Sequence, residues 1–180
     1  MTKMTFSELA NKRASCRKYS DKKVTDEQIT DILKIAMLAP SACNSQPWKF
    51  IAATGEKASL IPPHLQHLGF NKFTSDVSSF IVICETKAVL MSALDGKVES
   101  QRFAQMDIGL ATAHIIFAAE DMGLATCILG AIDEPKIKEI LEIPEDINVA
   151  LVIALGYSNS EARAKSRESF DEMVSFNKWN

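Results

Sequence analysis

The sequence predicts one layered domain over residues 1–180, of the α+β or the α/β kind. Three observations carry this. The 180 residues, 47% hydrophobic and 24% charged, suffice for one domain with a substantial core. Helical patterns come first, followed by apolar runs of strand length separated by further helical patterns. No internal repeat, low-complexity tract or long linker divides the chain.

The elements follow in order. Thr5 and Glu8 have capping-box spacing, so a short helix starts at Phe6. Thr25 and Gln28 repeat it, and Ile29, Ile32, Leu33 and Ala36 then form one apolar stripe to about Leu38. Pro40 ends that helix. Lys49 to Thr54 reads as a short strand, and "EKASLI" as the start of a helix interrupted by Pro62 and Pro63. Ser79 to Glu85 is a continuous apolar run suited to a strand covered on both faces. Gln101 to Met122 is a helix that is apolar almost all round, as befits a domain centre or a subunit interface; Gly123 terminates it. "LATCIL" is another strand. Asp133 can cap the next helix, with Pro135 in its first turn and Pro144 past its end. Asn148 to Tyr157 is the last strong strand, and a polar tail with room for one short helix closes the chain.

The net charge of −3 gives no general basic surface, which disfavours nucleic acid as a partner. The longest apolar run, near Ile108 to Leu124, is broken by His114, Glu120 and Asp121, so it reads as a buried helix and not a membrane span. The N-terminus has no apolar signal core. Cys16, Cys43, Cys84 and Cys127 form no CxxC pair and read as reduced thiols of a cytoplasmic protein. His64 and His67 have helical spacing but nothing nearby to complete a metal set, so they read as exposed, and no metal is expected.

Four segments could carry chemistry. In "RASCRKY", Arg13, Ser15 and Arg17 alternate; in extended chain they share one side and suit a phosphate or carboxylate. Arginines near a helix end also simply favour the helix dipole. Lys165 and Arg167 alternate in the tail, as a solvated segment or as a second half of the same anion site. "APSACNSQPWKF" carries Ser41, Asn44, Ser45 and Gln46, whose groups suit a heteroaromatic ring or their own backbone. In "GLATCILGAID", Gly130 permits close approach of a ligand, or only a turn. The chain has no GxxxxGK[ST], GxGxxG or GxSxG motif and no paired acid and base, so any catalysis here depends on a bound cofactor.

Together and in order, these four segments resemble the FMN-dependent nitroreductase family. "RASCRKY" resembles its Arg-x-Ser-x-Arg/Lys motif, "APSACNSQPWKF" its Pro-Ser-x-x-Asn-x-Gln-Pro-Trp loop, "GLATCILGAID" its Gly-Leu-x-Thr-Cys-x-x-Gly segment, and "KSR" its last phosphate-binding pair. The resemblance covers nearly the whole chain. It implies an α+β fold, a mainly antiparallel sheet wrapped by helices, in an intertwined homodimer with FMN at the subunit interface. It implies that Arg13, Ser15, Lys165 and Arg167 hold the FMN phosphate and that Arg17 reaches the N1 and C2 carbonyl edge of the flavin. Pro40, Ser41 and Asn44 of the partner chain would line the ring, with Gln46 ordering that loop and Trp48 packing. Asn71 would meet the pyrimidine edge, and Leu129 and Gly130 would offer backbone N–H groups near N5 and O4. Ala14, Ala42, Cys127 and Ile128 fall inside the same cofactor-binding motifs.

The implied activity is ping-pong. NADH or NADPH gives a hydride to flavin N5, and a nitroaromatic, quinone or other conjugated small molecule then takes the electrons. No catalytic side chain is required of the protein. Another reaction type on the same fold, such as reductive dehalogenation, or flavin binding without turnover, fits the same motifs. The chain is at the short end for the family, and the brief stretch from Ala88 to Gln101 implies a small lid. The pocket is then open, or shaped by Phe70, Phe73 and the partner chain.

Overall fold

Thr5 and Thr25 open the first two helices by one device in the computed structural model of the chain, which describes residues 4–66, 68–94, 96–158, 160–161 and 164–179. Each threonine hydroxyl accepts a backbone N–H three residues on, and the residue there, Glu8 or Gln28, returns a side-chain oxygen to the threonine N–H. Helix α1 runs Phe6–Lys12 and α2 runs Asp26–Ala36. The expected stripe of α2 stops short of Leu38. Met37 and Leu38 lie beyond its end and are exposed.

Four strands form one antiparallel sheet: β1 (Trp48–Ala53), β2 (Ser79–Glu85), β3 (Ala125–Leu129) and β4 (Asn148–Gly156), in the order β1-β2-β4-β3. β2 is central and covered on both sides. Phe80, Val82 and Cys84 point into one core with Val152 and Ala154, while Ile81 and Ile83 point into the other with Ile153 and Leu155. Helices α3 (Gly55–Leu60), α4 (Pro62–Leu65) and α6 (Glu134–Leu141) supply the first core through Ala58, Ile61, Leu65 and Ile137. Helices α2 and α5 (Ser100–Asp121) supply the second through Ile29, Ile32, Ile108, Ile115 and Ala119. The result is an α+β sheet with helices on both faces. β4 carries one extra residue, since Ile83 pairs with Leu151 and Cys84 with Val149.

Pro62 and Pro63 do more than interrupt a helix. They occupy the first turn of α4, where a proline needs no helical donor. Gly123 ends α5 at φ 74°, with the Leu124 N–H on the Ala119 carbonyl at 2.8 Å and the Gly123 N–H on Glu120 at 3.0 Å. Asp133 does not cap α6 as the sequence suggests. Its carboxylate lies 3.5 Å from His64 Nδ1, and its N–H donates to the His64 carbonyl at 2.8 Å. His64 is therefore half-buried and paired, not exposed; His67 lies outside the described residues. The tail forms a short α7 (Phe170–Met173). It is less polar outward than its composition suggests: Phe170, Met173, Phe176 and Trp179 all stand exposed, Trp179 at 97%.

Candidate functional site

Residues 13–19 form a strap across the edge strand β3. Ser15 pairs with Thr126 in parallel, and the Cys16 N–H donates to the Thr126 carbonyl at 2.9 Å. Cys16 and Tyr19 turn inward, while Ser15 and Arg17 are exposed and Arg13 is half-buried, so the alternating set faces out of the core. Tyr19 then lies against the end of β4. Its hydroxyl donates to the Ala154 carbonyl at 3.4 Å, and a Cβ on Gly156 would come within 2.7 Å of its ring. Burial pushes the Tyr19 phenol far above its ordinary range, and Cys16 and Cys127 add to that. Beneath the strap, burial raises the Cys127 thiol, opposed by Arg17, Arg13 and Ser15. These three polar residues thus act together on one point of β3.

The tail joins them. The Lys165 ammonium donates to the Ala10 carbonyl at the end of α1. Desolvation, then Arg13 and Arg167, hold the Lys165 ammonium below its usual range, with Glu120 acting against them. The fold therefore gathers Arg13, Lys165 and Arg167, with Ser15 and Arg17 further along the same strap. Arg167 itself donates to the Ser166 carbonyl at 2.6 Å. Such mutual repulsion is relieved by a dianion, and a phosphate fits this donor set. Beside it, a groove of about 490 Å³ runs along Ala14 to Lys18 and is closed by Glu120, Gly123, Leu124 and Ser158. Glu120 also pairs with Lys12 at 3.2 Å, fixing the strap's start to the end of α5.

β3 ends at Leu129, which is buried, with Ile128 partly exposed and Gly130 just beyond. Nothing in the chain demands glycine at 130. Its φ is not positive, and an added Cβ would meet only the Leu151 side chain at an ordinary 3.7 Å.

The loop at 40–46 is closed on itself. A single 3₁₀ turn spans Ala42–Asn44, and Cys43, Asn44 and Gln46 all have positive φ, at 52°, 52° and 48°. The Gln46 N–H donates to Ser41 Oγ at 2.9 Å, and Gln46 Nε2 reaches the Asn44 carbonyl at 3.2 Å and Asn44 Oδ1 at 3.3 Å. Ser45 Oγ accepts the Val89 N–H at 2.7 Å. Pro40, Cys43 and Asn44 are exposed, Ser41 and Ala42 half-buried. Trp48 packs beside Phe50, rings 6.2 Å apart. Asn71, at φ 59°, donates through Nδ2 to the Leu65 carbonyl at 3.1 Å. Phe73 stacks on Tyr19 in the core, so of the two expected pocket phenylalanines only Phe70 is exposed.

Two of these parts are held at different points of α5. The loop is tied to α5 at Asp107, and the strap is tied to it at Glu120. At about 1.5 Å per residue the two ties lie roughly 20 Å apart along the helix. Sequence reasoning named Glu120 only as a break in an apolar run and passed over Asp107. The available signal was an acid inside the otherwise apolar run of α5. Among the described residues, no group of three His, Cys, Asp or Glu side chains is arranged for a metal, and no helix is long and apolar enough to cross a membrane.

Residues 10–157 match the family model described as Nitroreductase family. An oxygen-insensitive NADPH nitroreductase of Helicobacter acinonychis is 30% identical, over 94% of this chain and 95% of its own. An FMN-dependent nitroreductase of Clostridium difficile R20291 is 27% identical, with a TM-score of 0.77 over 95% of this chain and 98% of its own. A structure from Exiguobacterium sibiricum 255-15, solved in complex with FMN, is 21% identical and shares the fold, with a TM-score of 0.85 over 98% of this chain and 99% of its own.

Proposed function

The chain belongs to the nitroreductase family, and we propose that it is a cytoplasmic, homodimeric FMN-dependent NAD(P)H oxidoreductase. It works by a ping-pong scheme on nitroaromatics, quinones or similar conjugated small molecules. The observation that carries this reading is the strap bearing Arg13, Ser15 and Arg17, laid along β3 through the Ser15–Thr126 pairing, with Lys165 of the tail donating to the Ala10 carbonyl just before it. When bound, FMN supplies the redox chemistry at N5.

The chain's own residues bind and orient. Arg13, Ser15, Lys165 and Arg167 hold the phosphate through charge-assisted hydrogen bonds. Arg17 sits at the N1 and C2 carbonyl edge, where a cation favours negative charge. Asn71 accepts from the pyrimidine edge. Leu129 and Gly130 present backbone N–H groups, and bare Gly130 lets the ring approach. Pro40, Ser41 and Asn44 wall the ring of the other subunit. The roughly 20 Å between the two ties on α5 supports that division, because the loop lies far from its own strap. Exposed Met37, Leu38, Met106 and Leu110, and the apolar side chains of the tail, support a second copy covering them.

The test is anaerobic. Purified protein should be yellow, NADH or NADPH should bleach it, and a panel of nitroaromatics and quinones should restore the colour. A colourless protein that ignores added FMN overturns the reading. Bound FMN without steady-state NAD(P)H consumption overturns the enzymatic part.

A further inference from the structure

Asp107 is 5% exposed, more than a turn inside α5, with Met106 and Ile108 as neighbours in sequence. A buried carboxylate is costly unless it is paired, and away from a helix N-terminus it gains nothing from the dipole. Among the described residues Asp107 enters no ion pair. Its Oδ2 accepts the Ala42 N–H at 3.0 Å.

What this bond controls follows from the loop's own wiring. The Asn44 N–H donates to the Ser41 carbonyl at 3.0 Å and the Ser45 N–H to the Ala42 carbonyl at 3.0 Å, while Ser41 Oγ holds Gln46. These bonds fix the loop's shape, including its positive-φ residues. They do not fix where the closed unit points. Two side-chain tethers do that: Ser45 to Val89, in an exposed irregular stretch, and Asp107 on a 22-residue helix. The rigid tether is Asp107.

We infer that Asp107 is a positioning residue, which acts through the Ala42 N–H to hold the 40–46 wall where the flavin ring needs it. This role rests on the proposed FMN site. It deepens that reading by naming the residue that orients the ring wall without touching the ring.

The experiment titrates FMN into each apo-protein at 25 °C, reading flavin fluorescence, with circular dichroism showing each variant folded. Asp107→Ala should weaken FMN about tenfold, the loss expected when a charge-assisted bond disappears. Asp107→Asn keeps an oxygen acceptor and should stay within about threefold of wild type. Ala42→Pro removes the donor and leaves α5 untouched. Ser41 is already extended at φ −145°, ψ 154°, as a residue before proline prefers. It should weaken FMN as Asp107→Ala does, and the double variant should lose no more than either alone. Wild type that binds FMN beside Asp107→Ala and Ala42→Pro variants that bind it equally well overturns the role alone. Wild type that binds no FMN overturns the reading beneath it.

Discussion

Arg13 sits where α1 ends and the strap begins, and its charge adds to the desolvation that holds the Lys165 ammonium below its usual range. A hydrogen bond to a charged group contributes about 1.5–3 kcal/mol, so Arg13→Ala should weaken FMN about tenfold to a hundredfold. Equilibrium dialysis checks this; unchanged affinity would refute the phosphate assignment. The thiols offer a second test. Cys43 is exposed, whereas Cys16, Cys84 and Cys127 are buried, and burial raises the thiols of Cys84 and Cys127. In FMN-free protein at pH 7.5, Cys43 should react first with an aromatic disulfide and the other three only after denaturant. On the proposed reading, in which its loop walls the ring, saturating FMN should slow Cys43. Candidates such as Arg13 and Asn44 were visible in the sequence because they sit in short motifs. Asp107 was not: its partner is 65 residues away, and only folding joins them.

Elements were legible wherever a local rule decided them. Both capping boxes formed where Thr5 and Thr25 announced them, and β2 formed over the apolar run Ser79–Glu85. Asp133 failed as a cap because His64, on α4, offered it a tertiary partner. A similar competition shapes α6. Glu134 leaves the helix terminus to accept the Val149 N–H at 2.8 Å and pairs with buried Lys138 at 3.1 Å. The Val149 bond, more than Lys138, holds its carboxyl below the ordinary range despite some desolvation. A depressed carboxylate stabilises the fold fully above its unfolded pKa of about 4.3, and that contribution disappears as pH falls through the folded value. Glu134→Gln should therefore lower the melting temperature at pH 7 and flatten its decline below about pH 4. A variant whose acid limb parallels wild type would show that the group does not matter to folding.

Over the whole molecule, α5 acts as a spacer. It is tied to the strap's start at Glu120 and to the loop at Asp107, and the proposed site accordingly draws its two halves from different chains. The expected consequence is complementation. Arg13→Ala and Asn44→Ala homodimers should each bind FMN poorly. After mixing, unfolding and refolding together, mixed dimers should regain one good site, formed by the intact strap of one chain and the intact loop of the other. With random pairing half of the dimers are mixed, so isothermal titration would show about a quarter of all sites at near wild-type affinity; no recovery would mean that each chain builds its site alone. This division could not be read from periodicity, because the α5 pattern reports how apolar a face is and not what covers it. Met106 and Leu110 look like core in sequence and are 53% and 44% exposed in the chain.

The loop of Ser41 to Gln46 reaches its unusual backbone conformation through bonds that involve no ligand. Its conformational entropy is therefore surrendered when the protein folds and not when the cofactor arrives. Association that orders a segment carries a large negative heat-capacity change, because surface beyond the ligand's own is removed from water. Here the calorimetric slope of binding enthalpy against temperature should match burial of the flavin ring alone. A slope several times larger would mean that the wall is assembled on binding.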